Sequence, residues 1–286
     1  MGKVLIFDVG RCTGCTSCVI ACKDEFVAND WSPYSKPQPE HGHFWIKLDT
    51  MERGSTPKVK VTYTPRLCMH CDNPPCKRAC LVNAITKRDD GIVLIDPNKC
   101  NGCKNLPAKL CIDACPYGAI YSNTDSGIAQ KCTMCAHLLD DAEWKNGPRC
   151  YDTCPLDGII TYGDEGDPKI KEMITKAEVL KPELNTKPRV YYLSLPKPFI
   201  TCCVIDPEKK EVIAGASVTA LELRTGEKYE ASTDHFGDLW LRNLKWDRTY
   251  LIRVKKEGYE EKTLGVYKTD RDINAGDIFL TRSEKG

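Results

Sequence analysis

Sixteen cysteines in four tight groups, all placed before residue 155, constrain this chain more than any other feature. The groups are Cys12-x2-Cys15-x2-Cys18-x3-Cys22, Cys68-x2-Cys71-x4-Cys76-x3-Cys80, Cys100-x2-Cys103-x7-Cys111-x3-Cys115 and Cys132-x2-Cys135-x14-Cys150-x3-Cys154. Proline follows the last cysteine of the third and fourth groups. Three thiolates on short loops can wrap one face of a [4Fe–4S] cube, with backbone N–H groups directed at its sulfurs. A fourth cysteine three residues on has started a helix and points away, so it ligates a different cube. Each group therefore implies a partner that returns the exchange. Order along the chain suggests nesting, first group with fourth and second with third; sequential pairing is the alternative.

Two other uses of cysteine fit less well. Zinc favours isolated pairs with no third thiol packed between them. Cys132 and Cys135 alone would suit zinc; the run from Cys12 to Cys22 and the fourfold repeat do not. Cysteines two residues apart rarely reach unstrained disulfide geometry. Disulfide scaffolds are also mostly short and secreted, and Cys12 comes too early for a cleaved leader to fit before it. No twin-arginine pair stands near the start, and no apolar run reaches the ~18–20 residues of a membrane span. A soluble chain is expected, or one carried to its destination by a partner.

With 41 basic and 40 acidic residues the formal charge is +1, which speaks against a strongly basic nucleic-acid binder. That figure assumes neutral thiols. An oxidised cube on four thiolates contributes about −2, so four loaded cubes would take the chain to about −7.

The nested order, the stretch Cys68-Met-His-Cys71-Asp-Asn-Pro-Pro-Cys76 and the Cys-Pro endings resemble the four-cluster electron-transfer subunits of molybdopterin enzymes in the dimethyl sulfoxide reductase superfamily. This resemblance covers about residues 1–160 and supports nesting. It implies clusters on Cys12, Cys15, Cys18 with Cys154; on Cys132, Cys135, Cys150 with Cys22; on Cys68, Cys71, Cys76 with Cys115; and on Cys100, Cys103, Cys111 with Cys80. Arg53-Gly54, the run from Gln130 to Asp141 and the run from Lys181 to Tyr192 are closer still to the pyrogallol–phloroglucinol transhydroxylase small subunits and their relatives. That family implies a heterodimer with a large molybdenum or tungsten bis-pterin subunit acting on phenolic rings. One departure stands out. The third group has x7 where most of the superfamily has x2, making residues 104–110 an insertion, and transhydroxylase-type subunits tend to carry three clusters with this site degraded. Here all four of its cysteines remain, so a fourth cluster is expected beside the other three. A complete set would suit net electron exchange with an outside donor or acceptor, which a redox-neutral transhydroxylation does not require.

Around the cysteines, Val4–Val9 reads as an apolar strand, and 27–65 as an insertion ending in the alternating run from Val59 to Tyr63. Hairpins are expected over 85–95, turning at Asp90-Gly91, and over 120–129, turning at Ser126-Gly127. Ile170, Met173, Ile174 and Ala177 predict a helix over 168–180. Four prolines make 181–198 an extended arm. From Phe199 about seven short strands are expected, over 199–205, 212–223, 228–232, 238–244, 250–255, 261–267 and 277–280. The run from Ala214 to Thr219, with Thr233-Asp234, Gly237, Leu241, Leu244, Tyr250 and Gly258-Tyr259, resembles the carboxypeptidase regulatory-like, transthyretin-like module.

Of the remaining residues, one of Cys202 and Cys203 should face the β core. His70, between two thiols, either donates to a cluster sulfur or packs its loop. His41, His43 and His137 read as solvated or structural. Arg66, Lys131 and Arg149 adjoin ligand positions and either offset cluster charge or are ordinary solvated charges. No nucleophile–base pair, phosphate loop or dinucleotide fingerprint appears, so catalysis is not expected on this chain.

The expected fold class is α+β: two nested ferredoxin-like units over 1–165, a helix and arm over 166–198, and an all-β Ig/transthyretin-like sandwich over 199–286. The expected role is electron transfer to or from a large molybdenum or tungsten pterin catalytic partner acting on phenolic rings, as a transhydroxylase, hydroxylase or dehydroxylase, with no nucleic acid and no membrane segment. Alternatives are the same role in another respiratory-type reductase, a free polyferredoxin, and a zinc-stabilised interaction scaffold. The expected location is the cytoplasm, or outside it if exported with a partner that carries the signal.

Overall fold

The computed structural model describes residues 2–104 and 106–283. Met1 of the expected first domain, Asn105 of the expected insertion and residues 284–286 of the expected β domain lie outside the described residues. The chain divides into two compact units, one of Met1–Thr50 with Thr62–Leu195, the other of Met51–Val61 with Pro196 onward.

The first unit is built on β1 (Lys3–Asp8), flanked by β8 (Ile160–Asp164) antiparallel and β9 (Val190–Leu193) parallel. The apolar run of β1 follows from burial on both faces. Val4 and Ile6 pack with Ile170, while Leu5 and Phe7 enter the main core with Trp45, Phe26, Met69 and Tyr192. The rest of the unit is short elements between cysteine loops, with one hairpin whose residues Met51–Val61 belong to the second unit. They are α1 (Ser17–Phe26), the hairpin β2 (Lys47–Ser55) and β3 (Lys58–Arg66), α2 (Pro75–Ala79), the hairpin β4 (Ile85–Lys87) and β5 (Val93–Ile95), α3 (Leu110–Asp113), the hairpin β6 (Tyr121–Ser122) and β7 (Ala129–Gln130), α4 (Ala136–Leu139) and α5 (Arg149–Asp152). Both expected hairpins are present in register, Ile85 opposite Ile95 and Ser122 opposite Ala129.

Helix α6 (Pro168–Lys176) starts as expected. Asp167 caps it by accepting from the backbone N–H of Lys169 at 2.8 Å. It stops at Lys176 because Glu178 leaves to exchange backbone hydrogen bonds with Tyr192. The arm that follows departs from the extended path expected of it, at a 3-10 turn over Pro182–Leu184 and at Lys181, Asn185 and Lys187, which take left-handed φ values. Backbone bonds tie it to the second cysteine loop: Asp72 N–H donates to the Lys187 carbonyl, Asn73 N–H to that of Thr186, and Arg189 N–H to that of Met69.

The second unit is a two-sheet sandwich. One sheet holds β10 (Ile200–Asp206), β11 (Glu211–Val212), β14 (Asp238–Leu241) and β17 (Ile273–Phe279). The other runs in the order β13 (Lys228–Ser232), β12 (Ser217–Glu222), β15 (Thr249–Lys255), β16 (Lys262–Lys268). A shared core of Ile200, Val204, Leu241, Val218, Ile252 and Val254 joins them. The single strand expected over 212–223 is divided into β11 and β12, which lie in different sheets. Arg53 forms a buried bidentate pair with Asp272, at 2.8 and 2.6 Å, and that carboxylate also accepts from the Phe199 N–H at 3.1 Å. Cys202 faces the core at 1% exposure, while its neighbour Cys203 points the other way and is half-buried.

Candidate metal centres

The four cysteine groups are brought together by two pairs of packed helices, α1 with α5 and α2 with α3. Each helix region carries two cysteines four residues apart: Cys18 and Cys22, Cys76 and Cys80, Cys111 and Cys115, Cys150 and Cys154. One turn of helix separates the members of each pair, so they serve neighbouring but different clusters of thiols.

The electrostatic neighbours of each thiol define four sets. Burial and the thiols of Cys12, Cys15 and Cys154 push Cys18 up to about 12. Burial, then Cys132, Cys135, Cys150 and the adjacent Cys18, hold Cys22 well above the usual thiol range. Burial pushes Cys71 up to about 12, with Cys68, Cys76 and Cys115 adding to it. Burial, Cys103, Cys100, Cys76 and Cys80 do the same for Cys111, again to about 12. In every set three thiols come from one group and the fourth crosses over from another. Thiols that are buried together resist ionisation because burial and mutual repulsion both oppose a second negative charge.

The sets adjoin in single file. Cys18 of the first neighbours Cys22 and Cys150 of the second. Cys132 of the second neighbours Cys68 of the third, and Cys76 of the third neighbours Cys111 of the fourth. Buried thiols of the first two, with Cys68 and Cys71 of the third, belong to the main core. Cys111 of the fourth shares a smaller core with Cys76 of the third, Ile85, Val93, Ile95 and Ile120, and the fourth set's cysteines line a cavity of about 230 Å³. The x7 spacing therefore does not scatter Cys100, Cys103 and Cys111; α3 begins at Leu110 and returns Cys111 to its set.

The surroundings suit a sulfur-rich anionic group. Backbone N–H groups of Met134 and Ala129 donate to the sulfurs of Cys132 and Cys100 at 3.3 and 3.4 Å. His70 is fully buried; its Nδ1 accepts from the Val93 N–H at 3.0 Å, so the neutral ring carries its proton on Nε2, which has no protein partner. Burial, with Lys131, Lys87 and Arg189 nearby, keeps that ring from protonating. Loop packing thus occupies one nitrogen and leaves a donor between Cys68 and Cys71. Thr186 of the arm is buried and bonded through Oγ1 to the Tyr117 hydroxyl at 2.6 Å; its hydrogen bonding to Cys71 counters part of the upward push on that thiol. The prolines that predicted an extended arm carried no information about which loop it would meet.

The charged residues beside the cysteines separate into two kinds. Arg66 pairs with Asp49 at 2.7 Å, and Arg149 pairs with Glu25 at 3.1 Å and with Asp152 at 2.5 Å. Lys131 is buried and bonds only carbonyls. His137 stacks on Trp31 and meets Glu25 at 2.9 Å, His43 stacks on Tyr121, and His41 is exposed. Among the described residues no three His, Cys, Asp or Glu side chains converge closely enough for a single metal ion, and no helix is long and apolar enough to cross a membrane.

Parts of the chain match known families of domains. Residues 11–84 and 59–165 each match a 4Fe-4S dicluster domain, and 200–281 match the carboxypeptidase regulatory-like domain. The chain is 40% identical to the pyrogallol hydroxytransferase small subunit of Pelobacter acidigallici, across 96% of this chain and 98% of that one. It is 36% identical to a tetrathionate reductase subunit of Salmonella typhimurium, covering 69% and 74% of the two chains. A selenate reductase subunit of Mesobacillus selenatarsenatis is 34% identical, over 67% and 71%.

Proposed function

The chain belongs to the family of iron–sulfur electron-transfer subunits that includes the pyrogallol hydroxytransferase small subunit and its counterparts in tetrathionate and selenate reductases, and on that premise we propose that it holds four [4Fe–4S] clusters in nested order. The ligands are Cys12, Cys15, Cys18 and Cys154; Cys22, Cys132, Cys135 and Cys150; Cys68, Cys71, Cys76 and Cys115; and Cys80, Cys100, Cys103 and Cys111. The observation that carries this reading is the crossing of one thiol between sets at each helix pair, which sequential pairing would not produce. When bound, a cluster takes up and gives back one electron. The chain's own contribution is to ligate, to exclude water by burial, and to direct N–H donors at sulfur.

The partner is a large molybdopterin subunit that carries the catalysis. Identity across nearly the whole chain with the pyrogallol hydroxytransferase small subunit favours a phenolic ring as its substrate. The sandwich, a module of Ig/transthyretin type, serves contacts within that complex. A second reading, net reduction or oxidation with an outside electron donor or acceptor, draws its support from the complete fourth thiol set and its cavity. The complex works in the cytoplasm unless the partner carries an export signal.

Three measurements test this. Anaerobically purified chain should hold about sixteen iron and sixteen acid-labile sulfide; absence of iron ends the proposal and favours a zinc scaffold. Cys111→Ala should lose iron, and an unchanged count excludes Cys111 as a ligand. Co-purification with a molybdenum or tungsten protein separates a dedicated subunit from a free carrier.

A further inference from the structure

A lysine buried without a carboxylate partner is costly, because an ammonium taken from water must recover its lost hydration from its surroundings. Lys131 is such a residue, at 2% exposure. Its Nζ donates to the Val93 carbonyl and, at 3.0 Å, to the carbonyl of Cys132. Among the described residues no carboxylate stands within ion-pair distance of it, whereas Arg66, Lys87 and Arg149 each have one. Two neutral carbonyls do not balance a buried charge. The balance has to come from anions that the side-chain inventory does not contain.

Its position says which anions. Lys131 precedes Cys132, a thiol of the second set, in the chain. The Val93 that accepts from Lys131 also donates its N–H to His70, which sits between Cys68 and Cys71 of the third set. One ammonium therefore bridges the loops of two sets, at the junction where Cys132 neighbours Cys68. The field of Lys131 reaches thiols on both sides, Cys132 on one and Cys76 and Cys115 on the other.

We propose that Lys131 is a fixed positive charge shared by the two middle cluster sites, placed to raise the reduction potentials of both together. The sign follows from charge counting. Taking up one electron makes a cluster with its thiolates one unit more negative, and a nearby cation stabilises the reduced form more than the oxidised one. Because the same charge acts on both sites, it moves the two couples in parallel and leaves the difference between them nearly unchanged. The first and fourth sets feel it less, since each is one site further along the file.

This role rests on the cluster assignment proposed above, and the test keeps the two apart. The holoprotein and its Lys131→Gln, Lys131→Met and Lys131→Arg variants are assayed for iron and sulfide, then titrated potentiometrically with electron paramagnetic resonance detection. Gln keeps a donor for the Val93 carbonyl, Met keeps the length, and Arg keeps the charge. The expected result is a downward shift of two of the four couples in both neutral variants, at full iron content, with Arg close to the original. Unmoved couples at full iron content would overturn the proposal, as would the shift of one couple alone. Loss of clusters in both neutral variants would also overturn it, making Lys131 a loop clamp. Absence of iron from the unsubstituted chain would instead overturn the cluster assignment.

Discussion

The cavity at the fourth thiol set offers a perturbation that separates it from the other three. Gly102 lies between Cys100 and Cys103 with φ +64, and a Cβ built on it would stand 1.9 Å from the backbone oxygen of Gly127. Non-bonded contacts of that kind are not tolerated below about 3 Å, so Gly102→Ala requires the loop or the β6–β7 turn to retreat by about 1 Å. The left-handed φ adds a further ~1 kcal/mol for a residue with a Cβ. Ligand distances at a metal hold to within about 0.2 Å, so a loop displaced five times as far cannot keep both Cys100 and Cys103 in place. The variant should therefore lose the fourth cluster alone, falling from about sixteen to about twelve iron per chain. Gly127→Ala is the control: its φ of +70 brings similar strain, yet its Cβ meets nothing within 4 Å, so it should keep its full complement. Iron and acid-labile sulfide analysis with electron paramagnetic resonance reads both. Full iron and four unchanged signals in Gly102→Ala would refute the reasoning, and so would an equal loss in the control.

Two further outcomes are expected. Arg53→Met leaves Asp272 buried and unpaired, and breaking a buried pair from one side costs about 3–5 kcal/mol. The melting transition of the second unit should fall by roughly 10 °C or more, and calorimetry that found it unchanged would count against a structural role for the pair. In the iron-free chain Cys18, Cys71, Cys111 and Cys132 are pushed up to about 12 and Cys76 to about 11. The folded form then keeps protons that the unfolded form releases above about pH 9, so stability is full below that pH and declines as pH rises toward 12. Urea midpoints at pH 8 and pH 10 should differ in that sense; equal midpoints would contradict it.

Much of the site was legible because ligand chemistry is written in short spacings. Two residues between cysteines keep them on one loop, and three place the next one a helical turn away, whatever the rest of the chain does. The strand at Val4–Val9 and both hairpins were equally local, resting on apolar runs and turn residues. Less legible was whatever depended on partners distant in sequence. The helix expected to reach 180 ends at Lys176 because Tyr192 captures the backbone of Glu178. The strand expected over 212–223 is shared between two sheets, since a strand pattern says nothing about which neighbour will pair with it.

Lys131 marks the boundary most plainly. In the sequence it is one of several cations beside the cysteines, indistinguishable from Arg66 and Arg149. Folding gives the two arginines carboxylates and leaves Lys131 buried between carbonyls. Residue type and spacing alone announced iron–sulfur chemistry, four groups of cysteines and a β module, because these follow from what short segments can do. The file of thiol sets, the cavity at the fourth and the unpaired charge between the second and third arose only on folding. Burial, and the field it leaves unscreened, belong to atoms brought together from separate segments of the chain.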